Sequence, residues 1–216
     1  MKKTFFFDLD GTLTDPAEGI TRAVAHALSC YGIHVPEPLS LAGRFVGPPL
    51  TEGFQQYYGF SEEESYRAID RFREYFREKG IFENRLYEGI PELLESLKRQ
   101  GHAVVLATSK PEEFAHRILK HFDLFSYFDF AGGATMDERS RVSKEQVLAY
   151  AMEASGAEAS RSLMIGDRDL DILAGKAFSL STVGVLYGYG SHEELTAAGA
   201  DVLCETVGAL TEVLLS

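Results

Sequence analysis

The chain has 216 residues, of which 45% are hydrophobic, so it can bury a sizeable core in one domain or in one domain with an insert. It carries 33 acidic and 21 basic residues, a formal net charge of -12, and no basic run. Proteins that bind nucleic acid through phosphate contacts usually show the opposite balance, so we expect no nucleic acid polymer as a partner.

Neither a targeting segment nor a membrane span is recognisable. The N-terminus passes from Met1 through two lysines into a short apolar stretch, without the longer segment and cleavage site of a signal peptide. No apolar run approaches the length of a membrane span. Cys30 and Cys204 have no metal-binding spacing and are expected to be small buried apolar groups in a reducing compartment. We therefore expect a soluble cytoplasmic protein with no membrane partner.

The first element is predicted to be a buried strand that ends in two carboxylates. Three phenylalanines at 5–7 lead directly into Asp8-Leu9-Asp10-Gly11-Thr12. Such an apolar run is typical of a strand covered on both faces of a parallel sheet, and open α/β sheets bind ligands at the carboxyl ends of their strands. Because alternate strand residues point the same way, Asp8 and Asp10 can converge on one ligand, and Gly11 allows a sharp turn.

Two carboxylates at one strand end repel each other unless a cation lies between them. Oxygen ligands of this kind suit Mg²⁺. The alternative is that Asp8 and Asp10 are loop acids that end a strand, one of them capping a helix. The motif favours the metal site over this alternative.

Residues 16–81 are predicted to form a small helical domain inserted after the first strand. Apolar residues at helical spacing begin at Ile20, and a capping box at Ser61 opens a long charged helix. A strand-free segment of this length is too long for an ordinary connection. The predicted core therefore comprises residues 1–15 and 82–216.

Helices and strands alternate after the insert. Apolar runs followed by glycine or polar residues predict five further strands at 103–107, 128–133 with its turn, 162–165, 182–186 and, at the sheet edge, 201–203. Alternation with short links predicts an α/β fold, a doubly wound parallel Rossmann-like sheet with an inserted α-helical domain.

Polar side chains follow three of the predicted strands. They are Asp8 and Asp10 after the first strand, Thr108 and Ser109 after the second, and Asp167 and Asp171 after the fourth. Parallel strands bring these ends to one side of the sheet. Acids from two strands can hold a metal and hydroxyls from a third can hold a phosphate, an arrangement that suits phosphoryl transfer.

Lys144 lies at a predicted helix N-terminus, directly after a capping Ser143. The helix macrodipole disfavours a cation at this end, so Lys144 is not explained by helix stability. It is either a chance surface residue or a residue that serves a nearby anion.

The ordered set of motifs resembles the haloacid dehalogenase superfamily. Its phosphotransferases carry Asp-x-Asp-Gly-Thr, a Thr or Ser after a second strand, a later Lys, and Gly-Asp-x-x-x-Asp. In this chain the motifs stand at 8–12, Thr108, Lys144 and 166–171, in the family's order. The insert lies where that family has its helical cap domain, so the resemblance covers the whole chain. It implies a Mg²⁺-dependent phosphatase.

The resemblance also implies catalytic roles. Asp8 is the nucleophile that forms an aspartyl-phosphate, and Asp10 is the general acid and then the general base. Thr108, with Ser109 beside it, binds the transferring phosphoryl group, and Lys144 pairs with its charge. Since the true dehalogenases lack the second Asp of the first motif, Asp10 favours phosphate chemistry.

A magnesium site is implied by the same resemblance. Asp8, the main-chain oxygen of Asp10, and Asp167 are its expected ligands. Asp171 is expected to bind the ion through water or to orient Lys144.

Within the superfamily the chain is most similar to the phosphoglycolate phosphatase-like group with a helical cap, some members of which act on 5'-nucleotides or pyrophosphate. The similarity rests on the first motif, the loops at 47–50 and 188–190, and the stretch 108–111. Three places depart from that group's pattern, namely Pro16, Ser109 and the residues after Lys144. The expected substrate is a small phosphorylated metabolite, with phosphoglycolate itself not singled out.

Substrate selection is expected in the cap. Arg44, beside Gly47, is the candidate for a second anionic group, since a guanidinium binds carboxylate or phosphate with two hydrogen bonds. The alternative is a surface arginine. Tyr57, Tyr58 and the aromatic stripe at 66–76 favour packing within the cap over base stacking.

Two other functions stay open at this point. A sugar-phosphate mutase of the β-phosphoglucomutase type shares the core and cap and differs in how the closed cap handles water. A non-catalytic phosphate-binding protein on the same fold is disfavoured by the intact motifs, although fold alone does not decide function. We expect a monomer or weak homodimer whose cap opens and closes.

Overall fold

The computed structural model describes residues 2–137 and 139–216. The chain divides into two compact units, one formed by Met1–Asp15 with Leu86–Ser216 and the other by Pro16–Arg85. The predicted insert at 16–81 falls within the second unit, and its role as a cap stays a prediction.

Strands and helices alternate through most of the first unit. Among the described residues the strands are β1 Thr4–Phe7, β2 Thr14–Asp15, β3 Arg85–Leu86, β4 Ala103–Pro111, β5 Phe130–Ala134, β6 Ser162–Gly166, β7 Ser181–Val185 and β8 Val202–Cys204. The helices are α1 Ala17–Ser29, α2 Ala42–Phe45, α3 Leu50–Tyr58, α4 Glu62–Glu78, α5 Ile90–Arg99, α6 Glu112–His121, α7 Lys144–Ser155, α8 Asp169–Ala177, α9 His192–Ala197 and α10 Val207–Leu215.

Six strands form one parallel sheet in the order β5-β4-β1-β6-β7-β8. Residues Phe5, Phe6 and Phe7 of β1 are all fully buried. Successive strand residues point to opposite faces, so burial of all three means that both faces of the sheet are covered. The predicted doubly wound α/β fold is confirmed, and its first strand lies at the centre of the sheet.

The strand β4 is longer than predicted and continues through the polar residues expected to follow it. Its pairing with β5 shifts register between Thr108 and Pro111. Gly133 of β5 makes room for this irregularity, because a Cβ there would lie 2.7 Å from the carbonyl oxygen of Lys110. The bulge therefore keeps residues 108–110 on the sheet while changing the direction of their side chains.

The second unit is helical, as the apolar spacing predicts. Helix α1 packs against α4, and the Ser61 capping box that opens α4 is present. Helix α1 ends at Ser29, and Cys30 just beyond it is exposed, which corrects the expected burial of this cysteine. Cys30 is the C-cap residue of α1, at the end of the helix, whereas Cys204, on β8, is buried as expected. None of the helices in the described ranges is long and apolar enough to cross a membrane.

Candidate active site

Asp8 is the first residue after β1 and is fixed by both neighbouring strands. Its backbone N–H donates to the carbonyl of Ile165 on β6 at 2.9 Å, which extends the sheet ladder by one residue. On the other side, Phe7 is level with Leu106 of β4. Asp8 is only 7% exposed. The sheet therefore places this carboxylate at a buried strand end.

A tight turn carries the chain away from Asp8. The carbonyl of Leu9 accepts the N–H groups of residues 12–14 at 3.3, 2.9 and 3.0 Å. Gly11 has a φ of 81°, in the left-handed region that favours glycine. A Cβ at this position would lie 2.1 Å from Oδ2 of Asp167. The glycine is thus required both by the turn and by the close approach of a second acid.

Three buried carboxylates converge beside this turn. One oxygen from each of Asp8, Asp167 and Asp171 lies within 4.8 Å of the other two. The donors are all carboxylate oxygens, which repel one another when ionised and suit a hard divalent cation. The cluster therefore fits metal binding. The carboxylate of Asp10 is not part of it, so only the main-chain oxygen of Asp10 is a candidate ligand from that residue.

Lys144 provides the positive charge next to these acids. Its Nζ lies 2.6 Å from Oδ1 of Asp8, 2.7 Å from Oδ1 of Asp171 and 3.2 Å from the carbonyl oxygen of Ala107. It is the first residue of α7, held there by the capping box of Ser143. Lys144 is buried, so its interpretation as a chance surface residue is wrong. Lys144 therefore pairs with anions, and its partners within the protein are the carboxylates of Asp8 and Asp171.

Burial and mutual charge shift the pKa values of this group. Burial raises the pKa of Asp167 well above its ordinary value, and the charges of Asp171 and Asp8 raise it further. Burial likewise raises the pKa of Asp171 to about 6, although Lys144 opposes the rise. Burial lowers the pKa of Lys144, but the charges of Asp171 and Asp8 outweigh it and the net shift is upward. Lys144 therefore stays charged, while Asp167 and Asp171 hold protons more readily than solvated carboxyls do.

Asp10 points to a different partner. Its Oδ2 lies 2.5 Å from Nζ of Lys110 on β4, and both side chains are largely buried. Its Oδ1 is buried and has no hydrogen-bond partner within the described residues. Burial raises the pKa of Asp10 although Lys110 opposes this. A carboxyl that retains a proton more readily than usual suits a general acid.

Thr108 and Ser109 lie on β4 beside the central strand. Thr108 is two residues beyond Leu106, which is level with Phe7, so it lies at the same end of the sheet as Asp8. It is buried, and its Oγ1 accepts the backbone N–H of Lys110 at 3.3 Å. Ser109 is half-buried. The structure thus places both hydroxyl residues on the strand adjacent to Asp8, and their contact with phosphate stays a prediction.

The loop after β7 supports the acid cluster. The backbone N–H of Tyr189 donates to Oδ2 of Asp167 at 2.8 Å, and the hydroxyl of Tyr189 donates to Oδ1 of Asp15. The hydroxyl of Tyr187 donates to the carbonyl of Thr12 at 3.0 Å. This loop therefore ties the first motif to the last one.

Sequence reasoning missed Lys110, Tyr189 and Thr12 as site residues. The signal for Lys110 was a lysine placed directly after two hydroxyls at a strand end. The hydroxyl of Thr12 donates to Oδ1 of Asp167 at 3.4 Å, a contact between residues 155 apart that no spacing rule predicts. Tyr189 was visible only as the centre of a Gly-Tyr-Gly loop.

Replacing Gly188 with Ala is expected to displace Asp167. A Cβ at Gly188 would lie 2.4 Å from both the Cβ of Asp167 and the carbonyl oxygen of Gly11, and neither neighbour is the flexible end of a long side chain. We expect Mg²⁺ affinity, measured by isothermal titration, to fall about tenfold or more, as it does when support of a metal ligand is lost. Gly208→Ala on α10, where no atom lies within 3.5 Å of the new Cβ, is the matched control. Equal affinities in the two variants would contradict the prediction.

Arg44 and Gly47 lie in the helical unit. The guanidinium carbon of Arg44 is 5.0 Å from the centre of the Tyr57 ring, a cation–π contact. Gly47 has a φ of 102° and so occupies a turn that favours glycine. The helical unit also shows the aromatic packing expected of it, since the buried Phe45 has the rings of Tyr57 and Tyr58 beside it. Contact of Arg44 or Gly47 with substrate stays a prediction.

Comparison with known proteins defines the family. Residues 5–185 match the model of the haloacid dehalogenase-like hydrolases. The chain belongs to this family. The matched range includes all four motifs, from Asp8 to Asp171, and ends before the loop that carries Tyr187 and Tyr189. The resemblance drawn from the motifs is confirmed.

Several relatives are similar to this chain over nearly its full length. A 5'-nucleotidase of Pseudomonas aeruginosa is 44% identical, covering 96% of this chain and 93% of that protein. The tyrosine-protein kinase PtkA of Mycobacterium tuberculosis is 39% identical, covering 96% and 71%. A phosphoglycolate phosphatase of Vibrio parahaemolyticus is 29% identical, covering 98% and 96%.

A solved structure is also similar to this chain over its full length. The crystal structure of a predicted phosphatase from Clostridium acetobutylicum superimposes with a TM-score of 0.94 at 46% identity, covering 100% of this chain and 99% of that one. Together with the family match, these relatives make the protein a haloacid dehalogenase-like phosphatase, a hydrolase of phosphoric monoesters.

Proposed function

We propose that this protein is a Mg²⁺-dependent phosphatase that hydrolyses a small phosphomonoester through an aspartyl-phosphate on Asp8. The observation that carries the proposal is the buried contact of Asp8 with Lys144 at 2.6 Å, beside Asp167 and Asp171. A nucleophilic carboxylate that meets a phosphate must have cations around it, because both partners are anions. Membership of the hydrolase family supports the same chemistry.

Asp8, Asp167 and the main-chain oxygen of Asp10 would hold Mg²⁺ in this proposal. Their oxygen-only donor set and their burial support a hard divalent ion. Asp171 would bind through water or, as its 2.7 Å contact favours, would orient Lys144. When bound, Mg²⁺ supplies positive charge to the phosphoryl oxygens.

Two proton-coupled transfers follow from the positions of Asp8 and Asp10. A carboxylate oxygen of Asp8 attacks phosphorus in line, and as the bond to the leaving oxygen breaks, Asp10 gives that oxygen its proton. Asp10 then takes a proton from water while the water oxygen attacks phosphorus, which frees Asp8 and inorganic phosphate. Lys144 pairs with the phosphoryl charge in both steps, and Thr108 and Ser109 donate hydrogen bonds to it.

The substrate proposed is a small phosphorylated metabolite such as a nucleoside 5'-monophosphate or phosphoglycolate. The names of the Pseudomonas and Vibrio relatives support these two classes. Arg44, beside Gly47, is proposed to bind a second anionic group of the substrate from the cap. We further propose that the protein acts in the cytoplasm as a monomer or weak homodimer.

The experiment that tests this function is phosphate release from a panel of phosphomonoesters. The panel holds nucleoside 5'-monophosphates, phosphoglycolate, pyrophosphate and hexose phosphates, each with Mg²⁺ and with a chelator. We expect release from at least one member, lost on chelation and restored by Mg²⁺. Folded protein that releases no phosphate from any member would contradict the proposal.

Three alternatives would give different outcomes. A sugar-phosphate mutase would convert a hexose phosphate to its isomer without releasing phosphate. The mycobacterial relative's name adds phosphoryl transfer to a tyrosine hydroxyl, which would appear as label on a tyrosine side chain, and not on Asp8, after incubation with labelled ATP. The non-catalytic alternative would bind phosphate without converting any substrate.

Mg²⁺ binding is expected to weaken as the pH falls from 7.5 to 5. Burial raises the pKa of Asp167 well above its ordinary value and that of Asp171 to about 6, so protons compete with the metal in this range. These raised values also mean that the metal-free folded state binds more protons than the unfolded chain, so their contribution to stability grows as pH falls through about 6. We therefore expect the rise in Tm caused by Mg²⁺ to be larger at pH 7.5 than at pH 5. Equal Tm increments at matched ionic strength would contradict this.

A further inference from the structure

Lys110 occupies an unusual position for a lysine. It is 8% exposed, it lies on β4 among buried residues, and its Nζ is 2.5 Å from Oδ2 of Asp10. The two residues are 100 positions apart in the chain. Its ammonium group therefore contacts the carboxylate of Asp10. In the proposed function, this carboxylate transfers the proton.

Stability does not account for this contact. Removing two charges from water is costly, and a buried ion pair is often no more stabilising than apolar residues of the same size. The surrounding backbone is also irregular, since the β4–β5 register shifts here and Gly133 is needed to make room. A buried lysine at a bulge points to a functional use of its position.

The contact restrains one oxygen of Asp10, and the other has no hydrogen-bond partner among the described residues. Oδ2 is held by Lys110, whereas Oδ1 is buried without a hydrogen-bond partner in the part of the chain that the structure describes. The backbone of Lys110 is restrained in turn, because its N–H donates to Oγ1 of Thr108 at 3.3 Å. The orientation of the Asp10 carboxyl is thus set from the neighbouring strand.

We propose that Lys110 is a positioning residue that holds Asp10 by Oδ2 so that Oδ1 exchanges the proton with the leaving oxygen and then with water. This inference rests on the proposed function. In the first step the bond from Asp8 to phosphorus forms, the bond from phosphorus to the leaving oxygen breaks, and Oδ1 gives its proton to that oxygen. In the second step the water oxygen bonds to phosphorus, the bond from Asp8 to phosphorus breaks, and Oδ1 takes a proton from the water. Lys110 remains paired with Oδ2 in both steps.

The chemistry of the leaving group distinguishes a positioning role of Lys110 from a structural role or from direct substrate binding. An alkyl phosphomonoester needs a proton on its departing oxygen, whereas p-nitrophenolate departs readily without one. Loss of positioning should therefore slow the first step for the alkyl ester and spare it for p-nitrophenyl phosphate. The second step needs Asp10 as a base for either substrate, so the phosphoenzyme should accumulate.

The test compares Lys110→Met with wild-type enzyme on both substrates in the presence of Mg²⁺. We expect kcat/KM for the alkyl ester to fall about 10²-fold, the lower end of the usual effect of acid–base catalysis. For p-nitrophenyl phosphate we expect a burst of one p-nitrophenolate per active site followed by slow turnover. Lys110→Arg, which restores a cation, should recover part of the alkyl activity. Lys176→Met, which removes a surface pair with Asp201, is the matched control.

Other results would overturn the positioning role. An equal loss on both substrates without a burst would indicate a structural role, and a rise in KM with unchanged kcat would indicate direct substrate binding. Wild-type behaviour of Lys110→Met would show that Asp10 needs no support. Asp8→Asn separates these failures from failure of the proposed function, because phosphate release that depends on Asp8 upholds the phosphatase whatever Lys110→Met does.

Discussion

Asp8→Asn is expected to lower kcat for phosphate release by at least about 10⁴-fold, as removal of a covalent nucleophile does in other enzymes. The amide that replaces the carboxylate cannot attack phosphorus, and no other described acid occupies the end of β1 in contact with Lys144. The substitution keeps the volume of the side chain. Lys144 also retains its contact with Asp171 at 2.7 Å, so we expect the variant to fold.

Circular dichroism and Tm establish folding, and acid-quenched single turnover with a labelled substrate tests for the phosphoenzyme. Wild-type enzyme should carry label on the protein, and Asp8→Asn should carry none. Asp123→Asn is the matched control because it makes the same chemical change at an exposed position where φ is 57° and Asn is favoured. A folded Asp8→Asn variant with more than a tenth of wild-type turnover would rule out Asp8 as the nucleophile.

Lys144→Met is expected to reduce both turnover and stability. The reaction loses a cation aimed at the phosphoryl charge, for which a fall of about 10²–10³-fold in kcat is typical of one electrostatic group. The folded protein loses the cation shared by Asp8 and Asp171, and removing one partner of a buried ion pair typically costs about 3–5 kcal/mol. Urea unfolding at neutral pH measures this loss.

The pH dependence of the loss identifies its cause. Without Lys144, the pKa of Asp171 should rise further in the folded state, because the charge of Lys144 opposes its rise. A raised folded-state pKa destabilises the protein at high pH and the penalty fades as pH falls, so the deficit should be larger at pH 7.5 than at pH 5. Lys176→Met, with both partners of its ion pair substantially exposed, should change stability by less than about 1 kcal/mol. A deficit that is the same at both pH values would indicate lost packing instead of lost charge.

The sequence alone was sufficient for the fold and the family. The apolar run before Asp8 and the later alternation of strands and helices predict a parallel sheet, because a strand buried on both faces leaves a continuous apolar signal. The four motifs keep a fixed order along the chain, and order is a property that sequence records directly. The same reasoning placed Lys144 at a helix N-terminus but left its partner open.

Tertiary structure decided which side chains meet. Lys144 and Asp8 are 136 residues apart, and Lys110 and Asp10 are 100 apart. Their contacts depend on strand order and on the register shift in β4, neither of which leaves a local pattern in the sequence. Local periodicity reports which face of an element is apolar, whereas an ion pair between distant strands depends on how the whole sheet is assembled. Only the folded structure therefore determined that Lys144 contacts Asp8 and that Lys110 contacts Asp10.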